Sequence, residues 1–133
     1  MSVLSLRDRI ADFFDGHPHA VVGASVDRSK FGNKVLRAFM AAGHEVYPVN
    51  PRESVVEGLK AYATLDALPE GVHGLSIVTP PEVTEMVVRS AIAVGIKHLW
   101  MQPGAVSERA ATEARAAGCS VIAGDACVLV EMR

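Results

Sequence analysis

The residues with the most chemical content follow the short apolar run Ala20-Val21-Val22. They read Gly23-Ala24-Ser25-Val26-Asp27-Arg28-Ser29-Lys30-Phe31-Gly32-Asn33. Glycines and small side chains let backbone N–H groups approach an anion closely. A helix predicted from Asn33 aims the positive end of its dipole at the same place, and Lys30 and Arg28 add charge. Physically this is a phosphate loop. It is not G-x-G-x-x-G, because Ser25 stands where the second glycine belongs, and it is not G-x-x-x-x-G-K-[ST]. A tight turn between strand and helix accounts for the same glycines without a ligand.

The next informative run is Asn50-Pro51-Arg52, just after Glu45-Val46-Tyr47-Pro48-Val49. An NAD-binding unit carries an acidic residue at this strand end to hold the ribose hydroxyls. Here the first charge is Arg52, and a guanidinium grips a phosphate with paired hydrogen bonds. A phosphorylated ribose therefore suits the position. NADP (phosphorylated at the 2′ position) and coenzyme A (at the 3′ position) both fit, and plain NAD is disfavoured. A surface arginine in a turn is the alternative. Thr79-Pro80-Pro81 makes a stiff corner with few donors, suited to the wall of a mostly apolar arm, with the Thr79 hydroxyl free to bond an amide. Gln102-Pro103-Gly104 brings a further amide toward the same crevice.

Catalytic sets are harder to find. Gly23-Ala24-Ser25-Val26-Asp27 is not a nucleophile elbow, since Asp27 replaces the closing glycine. His17, His19, His44, His73 and His98 are scattered without metal-ligand spacing, and most read as loop or surface residues. Cys119 reads as plain core, and Cys127 follows the last strand.

Alternation of elements must position these residues. Val3, Leu6, Ile10, Phe13 and Phe14 share one helical face, so residues 1–16 form an N-terminal helix that Gly16-His17-Pro18 stops. Predicted strands are Ala20–Gly23, Glu45–Val49, Leu75–Val78, His98–Met101 and Ser120–Ala123. Predicted helices are Asn33–Ala42, Pro81–Val94 and Ser107–Ala117. The stretch from Val55 to Pro69 is the least regular, holding a short helix, a short strand near Lys60-Ala61-Tyr62 and a helical turn at Leu65–Leu68. Trp100 is expected in the core, because a strand inside a covered sheet buries both faces. The fold class is α/β: a Rossmann-like, doubly wound, mostly parallel sheet in three α/β/α layers, one domain over residues 1–133. Ligands of such sheets bind at the carboxyl ends of the strands, where strand order reverses.

Composition agrees with that class. Of 133 residues 50% are hydrophobic and 21% charged, which excludes a disordered chain. A net charge of -2 lacks the basic field of a nucleic-acid binder. No apolar run reaches the length of a membrane span, and the first eight residues have no signal-peptide pattern. With 2 cysteines there is no disulfide framework, so a reduced cytoplasmic protein is expected.

In combination these residues resemble the coenzyme A-binding domain family. That Rossmann-like domain is found at the front of the succinyl-CoA synthetase α subunit and of ADP-forming acyl-CoA synthetases. The resemblance rests on Val21-Val22-Gly23-Ala24-Ser25, Lys30-Phe31-Gly32 and Tyr47-Pro48-Val49-Asn50-Pro51-Arg52. Glu57-Gly58-Leu59-Lys60-Ala61-Tyr62, Thr79-Pro80-Pro81, Trp100-Met101-Gln102-Pro103-Gly104 and Gly124-Asp125-Ala126-Cys127 extend it to residues 5–132 and to the small stand-alone members. It implies a diphosphate at Gly23, Ala24 and Ser25, helped by Lys30, Gly32 and the helix end at Asn33. It implies adenosine and its 3′-phosphate at Val49, Asn50, Pro51 and Arg52. Thr79 and Pro80 would line the pantetheine arm, with Gln102 near its outer end. It also puts a cysteine at position 127, where a disulfide with the ligand's own thiol, redox sensing and simple burial are all open.

The ligases of this superfamily carry a phosphohistidine and an acyl-phosphate site in later domains, for which 133 residues leave no room. The expectation is thus a non-catalytic module that binds coenzyme A or an acyl-CoA, with no metal, as a homo-oligomer or beside a partner enzyme. The rivals are an NADP-dependent oxidoreductase and a ligand-free interaction module partnering a CoA ligase subunit.

Overall fold

Five four-residue strands, largely buried on both faces, set the frame of the molecule. The computed structural model describes residues 4–132; Val3 of the first helical face lies outside them. In chain order the elements are α1 (Leu6–Asp15), β1 (His19–Val22), α2 (Phe31–Ala41), β2 (Val46–Val49), β3 (Val55–Val56) and β4 (Leu59–Lys60). After a 3-10 turn (Leu65–Ala67) follow β5 (Gly74–Ile77), α3 (Pro81–Val94), β6 (His98–Met101), α4 (Glu108–Ala116), β7 (Ser120–Ala123) and α5 (Val128–Glu131).

The main sheet is five-stranded in the order β2-β1-β5-β6-β7, with every pair parallel. One line of residues crosses it in register, from Val46 through His19, Gly74 and His98 to Ser120. Side chains alternate between its faces. Ala20, Leu75, Ile77, Leu99, Met101 and Val121 join one core with α3 and α4. Val21, Trp100 and Ile122 join the other with α1, α2 and α5. On that second face Phe13, Leu36 and Phe39 are fully buried and contribute roughly 2–3 kcal/mol each by leaving water. These are the three layers expected for a Rossmann-like α/β domain.

The elements end where local chemistry ends them. Ser5 caps α1 by accepting from the Asp8 amide, and Ser107 caps α4 by accepting from the Ala110 amide. Pro81 opens α3 at a position that lacks an intrahelical acceptor, and Gly95 closes it with φ 84°. Pro48 is tolerated because β2 is an edge strand. β1 ends one residue earlier than expected, since Gly23 turns to φ 88°. α2 begins two residues earlier, at Phe31. The irregular stretch resolves into the β3–β4 hairpin, a parallel bridge from Val49 to Tyr62 and the 3-10 turn. α5 was not anticipated. Among the described residues no helix is long and apolar enough to cross a membrane.

The histidines correct the reading of scatter. His19, His44, His73 and His98 come from four separate segments and meet at the amino ends of the strands. Ring centroids lie 5.2 Å apart for His19–His44, 5.8 Å for His19–His73 and 4.2 Å for His73–His98. His19 is fully buried and stacks on Phe39. Its Nε2–H donates to the Gly16 carbonyl at 2.9 Å, while buried Nδ1 has no partner. The His73 Nε2–H donates to the Asp12 carbonyl at 2.8 Å, which ties α1 to the sheet. Among the described residues no group of three or more His, Cys, Asp or Glu side chains is arranged to hold a metal ion.

Burial, then the neighbouring His44, pushes His19 from 6.5 down to about 3. The unfolded chain therefore takes up this proton first. Stability is full above about pH 6.5 and falls as pH drops toward 3. His98 is lowered mainly by burial and acts in the same direction. In His19→Phe, which keeps a ring in the cage but binds no proton, the stability lost between pH 7 and pH 5 should shrink by about 2 kcal/mol. Urea unfolding at the two pH values measures this, and an unchanged loss would exonerate His19.

Candidate functional site

Strand order places the crevice. From β1 the chain leaves through α2 on one face, and from β5 it leaves through α3 on the other, so the carboxyl ends of β1 and β5 flank the switch point. Gly23, Thr79 and Gln102 follow the adjacent strands β1, β5 and β6 at this end.

The backbone here is packed against itself. A Cβ on Gly23 would stand 2.0 Å from the Val78 carbonyl oxygen, and one on Gly32 would stand 1.9 Å from the Gly23 carbonyl oxygen. Gly32 therefore lets the first turn of α2 sit directly on the end of β1, the task of a glycine in close helix–strand packing. Lys30 caps α2 with its backbone only, making no side-chain bond to the first-turn amides. The loop before it is held from within. Ser25 Oγ accepts from the Asp27 amide, and the Asp27 carboxylate accepts from the Ser29 amide at 2.9 Å and the Ser29 hydroxyl at 2.6 Å. These bonds from Ser29 hold the Asp27 carboxyl below its usual range.

Several residues expected beside a ligand have side chains committed within the protein. Asn33 is completely buried. Its amide donates to the Ser25 carbonyl at 2.8 Å and to Glu57 Oε2 at 3.0 Å, and its oxygen accepts from Arg37 Nε at 2.6 Å. Asn50 donates to the Ala24 carbonyl at 2.8 Å and accepts from the Arg52 and Glu53 amides, joining the loops after β1 and β2. The Val49 side chain packs into the α3–α4 core. The Thr79 hydroxyl, expected to be free, shares a 2.8 Å hydrogen bond with buried Thr84. Gln102 is only 3% exposed. It accepts from the Val128 amide at 2.7 Å and donates to Cys127 Sγ at 3.4 Å, so it fastens the segment entering α5. A buried amide must be satisfied this way or cost stability.

What stays open at the crevice mouth is backbone and exposed side chains. Pro51, Arg52 and Pro80 are exposed, as are Arg28 and Lys30. Val26 and Phe31 are 51% and 59% exposed, beside the loop.

A family model described as "CoA binding domain" matches residues 18–133. The chain belongs to that family. It is 36% identical over 86 residues to the alpha subunit of acetate–CoA ligase (ADP-forming) II of Pyrococcus furiosus, an alignment covering 64% of this chain and 19% of that subunit. It is 29% identical over 111 residues to the uncharacterized protein YneT of Bacillus subtilis, covering 84% and 82% of the two chains. Among solved structures, a conserved hypothetical protein from Pyrococcus furiosus superposes with a TM-score of 0.83 at 40% identity, over 87% of this chain and 99% of that one. The chain thus spans about a fifth of the ligase subunit and nearly the whole of the small relatives.

Within this CoA binding domain one residue of the site went unassigned in the sequence. Glu57 sits at the tip of the β3–β4 hairpin with φ 50° and ion-pairs with Arg28 at 3.4 Å. Glu57 opens the run to Tyr62 that extends the family resemblance, and the Glu57-Gly58 pair is the further signal, a two-residue hairpin turn, that could have placed it.

Gly32→Ala should destabilise the domain by about 3 kcal/mol, because the new methyl meets backbone rather than a movable side chain. Gly43→Ala, at φ 82° with open space around it, should cost only about 1 kcal/mol. Urea midpoints compare the two, and equal losses would show that α2 does not depend on the close approach.

Proposed function

We propose that this domain binds coenzyme A or an acyl-CoA at the carboxyl ends of its strands, as a non-catalytic carrier or sensor in the cytoplasm. The observation that carries the reading is the α2 amino terminus. It is pressed against the end of β1 at the switch point, with first-turn amides that Lys30 leaves without a side-chain cap. Membership of the CoA binding domain family supports the same ligand.

On this reading the diphosphate lies along Gly23, Ala24 and Ser25, with Gly32 and Asn33 supplying helix-end backbone and Lys30 supplying charge. Arg52 takes the 3′-phosphate, and the backbone around Val49, Asn50 and Pro51 flanks the adenosine. Thr79 and Pro80 wall the pantetheine arm, and Gln102 acts at its outer end through the Cys127 segment that it fastens. The contributions of Asn33, Asn50 and Gln102 are then to shape the walls, because their side-chain amides already bond within the protein.

Calorimetry tests the ligand. Coenzyme A should bind, and dephospho-coenzyme A should bind more weakly by roughly 1–3 kcal/mol, a gap that Arg52→Ala should close. Ser25→Glu should abolish binding by setting a carboxylate against the diphosphate. Tighter binding of NADP than of coenzyme A would overturn the reading in favour of an oxidoreductase. Binding of none of the three would point instead to an interaction module beside a ligase subunit.

A further inference from the structure

Glu57 occupies a costly place. The two-residue turn between β3 and β4 has positive φ at both positions, 50° at Glu57 and 79° at Gly58. Such turns favour asparagine, aspartate or glycine at the first position, because a longer L side chain crowds its own backbone there. The hairpin itself gains nothing from a glutamate at its tip. The side chain is instead directed across to the loop after β1. Its Oε2 accepts from the Asn33 amide at 3.0 Å and lies 3.4 Å from Arg28 Nε.

The surroundings are cationic. Arg28, Lys30, Lys34 and Arg37 fall within ten positions that contain no acidic residue. Arg28, Lys34, Arg37 and Glu57 line a single groove along α2. Arg37 is committed, bonding Asn33 and the Arg28 carbonyl. Lys34 rests 5.5 Å from the centre of the Phe31 ring. Arg28 has a side chain 65% exposed and a single-contact ion pair, so it is the cation that can change partner. An exposed pair of this kind is weak and screened by salt.

We propose that Glu57 is a resident counter-anion of the loop, holding Arg28 until a phosphate takes its place. Glu57 then sets how strongly the site discriminates ligands by charge: an anion must displace the carboxylate and stay near it, while a neutral ligand gains nothing from Arg28. The inference rests on the reading that phosphates bind at this loop.

The test compares wild type, Glu57→Gln and Glu57→Gly, each with coenzyme A and with inorganic pyrophosphate. Glycine relieves the positive φ, so a folded variant is secured even if glutamine disturbs the turn. Both variants should bind coenzyme A about two- to five-fold more tightly than wild type at low salt, the advantage fading as salt is raised. In an Arg28→Ala background the gain should vanish. Equal or weaker binding by the variants, or a gain that survives without Arg28, would overturn the proposal and leave the coenzyme A reading standing. A gain seen with pyrophosphate in a protein that does not bind coenzyme A would sink that reading alone. Wild type that binds neither probe overturns both.

Discussion

The Gly23 carbonyl oxygen occupies the space a Cβ on residue 32 would need. This close approach of α2 to the end of β1 governs the rest of the crevice. It brings Asn33 deep enough to reach the Ser25 carbonyl, and Asn33 in turn positions Arg37 and receives Glu57. It also brings the loop backbone against Val78, so the exits from β1 and β5 are fixed relative to each other. A side chain at either glycine would separate these layers and loosen every later contact in the chain. The glycines thus have an internal reason to exist, and the open helix end is a consequence of the packing they permit.

The two ends of the sheet are built on opposite physical terms. At the carboxyl ends, the amides of buried Asn33 and Gln102 and half-buried Asn50 tie one loop to the next through satisfied hydrogen bonds. At the amino ends, rings of Phe13, Phe39, Trp100 and His19 pack together, and a buried imidazole nitrogen goes without a partner. The first arrangement holds loops that must present backbone to solvent. The second anchors α1 through imidazole N–H groups that donate to the Gly16 and Asp12 carbonyls, and burial of His19 makes its protonation costly in acid. Arg9 adds to that anchoring by donating to the Val121 carbonyl on the edge strand β7. The bond gives one carbonyl of this edge strand a partner.

Much of the fold was legible because its signals are local. Runs such as Ala20-Val21-Val22 and Leu75-Ser76-Ile77 are short, apolar and bounded by turns, and α3 starts at a proline and stops at a glycine. That a glycine-rich exit stands at the carboxyl end of the first strand was legible too, since glycine at that turn is itself a local signal. The roles of individual polar residues were not. Nothing in the sequence says that Gln102 meets Val128, or that Asn33 meets Glu57 24 residues further on, because these bonds depend on how distant loops pack. The histidines failed for the same reason. Their spacing along the chain is irregular, yet each stands just before or at the start of a parallel strand, and the register draws them together. Glu57 was missed because the hairpin carrying it is only two residues per strand, too short for a periodic pattern.

The net charge of -2 is a property of the whole chain and not the field a ligand meets. Four of the 13 Lys and Arg residues fall between positions 28 and 37, all on the loop after β1 or the first part of α2. The helix dipole adds positive potential at the same end. On the proposed reading, the amides of Asn33, Asn50 and Gln102 are spent on internal bonds, so recognition of a phosphate there would fall to backbone N–H groups and exposed cations. Backbone groups are rigid and charge-neutral, so they favour any tetrahedral anion of the right size. Exposed cations are adjustable and screened, so they set strength more than identity. Discrimination must then come from elements that oppose charge as well as attract it. A carboxylate on the tip of a short hairpin, held at an unfavourable backbone angle within reach of Arg28, has the chemistry for that opposition.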